Sequence, residues 1–168
     1  MAGKATQKGL VNMKKPKFSL NYKDESLAAL VGETDQQTLA AWAIDCAARV
    51  LPYFEEAYPE DRRPRNALET LQAWIDTGEF KMATIRGASL ASHAAAREVG
   101  EDSAARSAAR AAGQAVATAH VVTHAIGAPN YALQAIHRAS NASDAGAAVA
   151  AERDWQMRRL VELREIRM

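Results

Sequence analysis

Apolar residues recur at helical spacing along most of the chain. Leu39, Trp42, Ala43, Cys46, Val50, Tyr53 and Phe54 form one stripe. Thr34, followed three residues later by Gln37, is a capping-box signature that would start it. Pro52 lies inside the stripe, and because proline removes a backbone donor and crowds the preceding turn, a kink is expected there, with the helix fading by Tyr58-Pro59. A second stripe, Leu68, Leu71 and Trp74, opens at Pro64 and stops at Thr77-Gly78. A third helix is predicted from about Lys81 to Glu98, closed by Gly100, and a fourth from Asp102 or Ser103 to Ile126, where Gly127 and Pro129 would end it. A fifth covers Tyr131 to about Ala139, and a sixth, capped by Ser143, runs through Trp155 toward Ile166. No alternation of β-branched and polar residues reads as a strand. Six helices with short connections predict an all-α, single-domain antiparallel bundle.

Composition sharpens this picture. Thirty-eight of the 168 residues are alanine and only 6% are aromatic, which favours helices over strands. Ala88, Ala91, Ala95, Ala104, Ala105, Ala108, Ala112, Ala115 and Ala119 give the third and fourth helices small inner faces. These helices are expected to pack at the near end of the usual roughly 8–10 Å axial separation, leaving little room for a ligand between them. The larger side chains, Trp42, Trp74, Trp155, Phe54 and Leu71, would then fill the periphery of the core.

The formal charge of +1 hides an asymmetry: Lys4, Lys8, Lys14, Lys15, Lys17 and Lys23 make residues 1–23 +6, and the rest of the chain is −5. Residues 1–33 read as a basic N-terminal tail and residues 34–168 as the bundle domain. No aromatic residue is interleaved among Lys4 to Lys15 as a base-stacking platform requires, which argues against a nucleic-acid partner. No apolar run approaches the length of about 18 residues needed to span a membrane, and the single cysteine, Cys46, excludes an internal disulfide framework. A cytoplasmic protein is the expectation.

Candidate chemistry centres on histidine. His120 and His124, four apart on the predicted fourth helix, would project from one face, which is metal-ligand spacing. His93 on the preceding helix would add a third nitrogen, and Asp45 or Cys46 a fourth ligand, giving a site for a divalent ion such as zinc that could activate water. No glutamate follows His120 in the manner of a zinc protease. The competing reading is a hydrogen-bonded polar patch inside the bundle, with no cofactor. Asp45 and Arg49 are also four apart, in the favourable order for a helix pair; Asp45 turned toward His93 or Arg97, with Arg110 nearby, would instead build a buried network. Cys46, in an apolar stripe, reads as a buried small hydrophobe more readily than as a nucleophile. Arg62, Arg63 and Arg65 at a helix start form an anion-binding candidate. The mixed charges of the last helix, Glu152 to Arg167, read as a salt-bridged surface helix.

Several blocks together carry a resemblance: Leu39 to Pro52 with Trp42, Asp45, Cys46 and Arg49; Arg63-Pro64-Arg65 with Trp74 downstream; Ala91 to Arg97 around His93; Ala108 to Ala115 around Arg110; Ala117 to His120, with His124-Ala125; Tyr131-Ala132; and Glu152 to Gln156 around Trp155. In this order the chain resembles the Imm-5-like family of bacterial immunity proteins over roughly residues 34–160. The resemblance implies an all-helical domain that neutralises a cognate toxin of interbacterial conflict by protein–protein interaction, with no enzymatic activity attached to it. Inhibitors of nucleases commonly present strongly acidic surfaces; a body of −5 does not, so recognition by shape over about 800 Å² per partner is expected. Two other readings stay open beside it: a metal-dependent hydrolase-like bundle using His93, His120 and His124, and a structural homo-oligomer joined through alanine-smooth faces.

Overall fold

The computed structural model describes residues 14–19 and 24–168, and every regular element in them is helical. Seven α-helices follow in order: α1 (Glu25–Gly32), α2 (Gln36–Glu55), α3 (Arg63–Thr77), α4 (Met82–Glu98), α5 (Ala104–Ala117), α6 (Gly127–Ala139) and α7 (Ala145–Ile166), with a 3-10 turn at Val122–Ile126 before α6. Lys4, Lys8 and Lys23 of the basic tail lie outside the described residues. Of the lysines that are described, Lys15 donates to the Ser140 carbonyl at 2.7 Å.

The centre of the fold is α5. Ala105, Ser107, Ala108, Ala109, Ala111, Ala112, Gly113, Ala115 and Val116 are all buried, so almost its whole circumference is covered. A helix apolar on all sides belongs in the interior, and α5 is packed by α2, α3, α4 and α6. Because its own side chains are so short, neighbours reach its backbone. Ser92 Oγ donates to the Ala109 carbonyl at 2.8 Å and Ser89 Oγ to the Gly113 carbonyl at 3.0 Å. The expected close contact between α4 and α5 is therefore present, and α2 and α6 press on α5 just as closely. Phe54 and Leu71, expected at the periphery, are fully buried members of this alanine-rich core, while Trp74 is half-buried against it. Trp42 belongs to a second cluster with Leu39, Cys46, Leu160 and Leu163, on which Leu27, Leu30 and Val31 of α1 rest.

Several boundaries differ from the sequence-based expectation, each for a local reason. The end of the segment read as tail forms α1, capped by Asp24, whose carboxylate accepts from Leu27 N at 3.0 Å. α2 is capped by Asp35 and not by Thr34: Asp35 accepts from Thr38 N at 2.9 Å and from Thr38 Oγ at 2.6 Å, and a carboxylate also suits the positive end of the helix dipole. The Thr34 hydroxyl instead donates backward to the Leu30 carbonyl, closing α1. α2 runs through Pro52 to Glu55. α5 stops at Ala117, well short of Ile126, because the consecutive β-branched residues Val121, Val122 and Thr123 disfavour a helix and Val121 is extended. Gly127 and Pro129 then begin α6 instead of ending its predecessor; a proline in the first turn lacks only an N–H that would be unpaired anyway. Asp144, not Ser143, precedes α7; Ser143 bonds Asn141 Oδ1 at 2.8 Å.

The tight fit around α5 predicts the result of enlarging it. Ala112→Leu should destabilise the protein by about 1–3 kcal/mol through overpacking, read as a lower urea midpoint; an unchanged midpoint would show that α5 has spare room.

Candidate functional site

Asp45 and Arg49 of α2 are joined to α7 and not to one another. Arg159 Nε donates to Asp45 Oδ2 at 2.7 Å. Arg49 grips Glu152 with two parallel bonds, Nε to Oε1 at 2.7 Å and Nη2 to Oε2 at 2.9 Å. Glu152 is only 5% exposed, and the Arg49 guanidinium lies over the Trp155 ring at 3.9 Å. The expected Asp45–Arg49 pair is thus absent, and so is a contact from Asp45 to His93 or Arg97. Deeper in the same seam, Trp42 Nε1 donates to the Gln156 carbonyl at 2.8 Å, and Gln156 Nε2 donates to the Pro129 carbonyl at 3.0 Å. α7 is therefore a partly buried helix that carries polar anchors, and not a surface helix alone. Glu152, Gln156 and Arg159 were the partners that sequence reasoning missed; their spacing of four and three residues along α7 was the available signal. Cys46 is completely buried beneath this seam. Burial pushes its thiol well above the ordinary range, and the Glu152 and Asp45 carboxylates add to that, so the sulfur stays protonated and unreactive.

Three of the four histidines lie beside the C-terminal half of α5. Arg110 Nη1 lies 3.0 Å from His93 Nδ1. A guanidinium can only donate, so Nδ1 accepts and the ring proton sits on Nε2. The ring rests on Gly113, where an added Cβ would fall 2.7 Å from His93 Nε2. Burial lowers the His93 pKa from 6.5 to about 4, and the Arg110 and Arg97 cations and His124 push the same way. His124 Nδ1 is 2.8 Å from Gln114 Oε1, and Gln114 is itself held against Gly127. With α5 ending early, His120 and His124 do not share a helix face; His120 is exposed in the connection and His124 sits in the 3-10 turn. The three imidazoles line one cleft of about 130 Å³ together with Arg86, Ser89 and Gln114. The expected zinc arrangement is not formed: no group of three or more His, Cys, Asp or Glu side chains among the described residues is placed to hold a metal ion. His93 is unsuited as a ligand as well: with Nδ1 accepting from Arg110, its Nε2 carries the proton and has no lone pair to offer.

The arginines at the start of α3 are engaged by carboxylates of the chain itself. Arg63 pairs with Asp61 and Glu98, Arg65 with Glu55, and Arg62 with Glu69 at 3.1 Å. Their hydrogen bonds hold the Asp61 and Glu98 carboxyls below the usual range. The anion-binding candidate is thereby a set of internal ion pairs. Arg97 is exposed near the end of α4.

His93 makes stability pH-dependent with a definite sign. Between its folded value of about 4 and its ordinary 6.5 the unfolded chain binds the extra proton, so stability contributed by the neutral ring is lost as pH falls through that window. The urea midpoint should drop from pH 7 to pH 4.5, and less so in His93→Gln, whose amide oxygen can still accept from Arg110. Equal drops in the two proteins would contradict this.

Among the described residues no helix is long and apolar enough to cross a membrane. No curated protein and no solved structure matches the chain. Residues 29–163 match the family described as Imm-5 like putative immunity protein. The match spans α2 to α6, the end of α1 and nearly all of α7, and so includes both polar clusters. By sequence order, helical architecture and this match, the chain belongs to the Imm-5 like immunity protein family.

Proposed function

We propose that this protein neutralises a toxin by binding it through its outer surface, as an immunity-type partner. The observation that carries this reading is how the polar residues between the helices are used. Asp45 joins Arg159, Arg49 joins Glu152, Trp42 joins the Gln156 carbonyl and His93 joins Arg110. Each fastens one helix to another, and no buried polar side-chain atom among the described residues is left without a partner. Groups committed in this way hold a rigid shape, and rigid surfaces bind with little ordering cost. Cys46, the one thiol, is sealed in the core. Family membership supplies the direction of the reading, and the weak net charge supports recognition by shape and local chemistry over broad electrostatic mimicry.

The test is protection. Cells lacking this protein but expressing it from a plasmid should survive contact with toxin-producing siblings, and tagged protein should recover the toxin as a stable complex. Survival no better than with an empty plasmid, together with no complex, would overturn the proposal.

A further inference from the structure

We propose that the cleft between α4 and the 3-10 turn receives the carboxylate of an acidic side chain from a partner protein. The inference deepens the binding function above and rests on it. Its size is the first argument. About 130 Å³ accommodates a carboxylate and its neighbouring methylene, well under the roughly 300 Å³ at which small-molecule pockets begin.

Its chemistry is the second. The walls hold the Arg86 guanidinium, three imidazoles, the Ser89 hydroxyl and the Gln114 amide, with no carboxylate among them. Among the described residues Arg86 makes no ion pair with an acidic side chain, unlike Arg49, Arg62, Arg63, Arg65, Arg138 and Arg159. The complement missing from this cleft is therefore an anion with planar, two-oxygen geometry, which suits a guanidinium. His93 is locked as the Nε2–H tautomer by Arg110, and its pKa of about 4 keeps it neutral, so it adds a donor without adding charge.

The surroundings are the third argument. Met82, Arg86 and Leu90 lie at four-residue spacing along one face of α4, and Leu90 is 56% exposed and Met82 42%. Val122, 42% exposed, is in the 3-10 turn that also carries His124. A charged group flanked by bare apolar side chains is the composition of an interface centre, where apolar contacts exclude water from the ion pair. A protein side chain satisfies both features, whereas a free inorganic anion would leave Leu90 and Met82 uncovered.

The experiment is a nuclear magnetic resonance titration of the full chain labelled in its histidine rings. The probes are acetyl-Leu-Glu-amide, acetyl-Leu-Gln-amide and inorganic phosphate, and His137 on α6 serves as an internal reference outside the cleft. The Glu peptide should shift the His120 and His124 resonances saturably and leave His137 in place. The Gln peptide should bind about ten-fold more weakly, as should the Glu peptide to Arg86→Gln, since each loses one charge-assisted hydrogen bond. Shifts shared equally by His137, equal binding of the two peptides, an unaffected Arg86→Gln, or tighter binding of phosphate than of the Glu peptide would each overturn the proposal. No toxin enters this titration. Protection with a null titration therefore removes the cleft and keeps the binding function, and a positive titration without protection does the reverse.

Discussion

Everything in this fold depends on how closely other helices can approach α5. A helix made almost entirely of alanine contributes little side-chain volume, so its neighbours must come near to avoid voids, and interiors tolerate few voids. Ser89 and Ser92 reach its carbonyls, and His93 lies on Gly113, only because that approach is achieved. Phe54 and Leu71, both fully buried, belong to the same cluster as the alanines of α5, and Trp42 to a second cluster with α7 and α1. Where α4, α5 and the 3-10 turn come together, the histidine cleft measures only about 130 Å³.

The seam between α2 and α7 plays a different part. α7 cannot lie against α5, which is already covered, and it packs on α2 and α6 instead. There Arg49–Glu152 and Arg159–Asp45 cross from helix to helix, and Trp42 and Gln156 bond backbone carbonyls beneath them. Ion pairs as open as these are weak support for stability, because water screens the attraction and holding long side chains in place costs entropy. Their directional demands are another matter: the two bonds to Glu152, the Arg159–Asp45 pair and the Trp42 bond to the Gln156 carbonyl all favour one placement of α7 against α2, so that placement does not hang on any single pair. The seam sets register, and a set register is what a surface needs if it is to match a partner by shape.

Much of the architecture was legible because alanine content and apolar spacing both report on helices, and the stop at Gly78 was marked by a residue in the left-handed conformation that favours glycine. The failures had common causes. α1 was concealed by the lysine-rich stretch before it, although Asp24 with Leu27, Leu30 and Val31 carried a cap and a short apolar face. The stretch from His120 to His124 kept its apolar look while three β-branched residues broke the helix, so an apparent metal spacing never acquired a shared face. Asp45 and Arg49 were matched to each other because local pairs can be read from spacing, whereas their real partners are more than a hundred residues away. Helix periodicity shows which face is polar, and not which helix will meet it.

The polar residues between the helices shape the protein, and its outer surface does the work. The most direct test replaces the Arg49–Glu152 pair with methionines of similar volume and measures protection against the toxin at equal levels of folded protein. Undiminished protection by the Arg49→Met, Glu152→Met chain is the predicted result. A folded double variant that no longer protects would contradict the account, because the pair would then be acting on the partner directly.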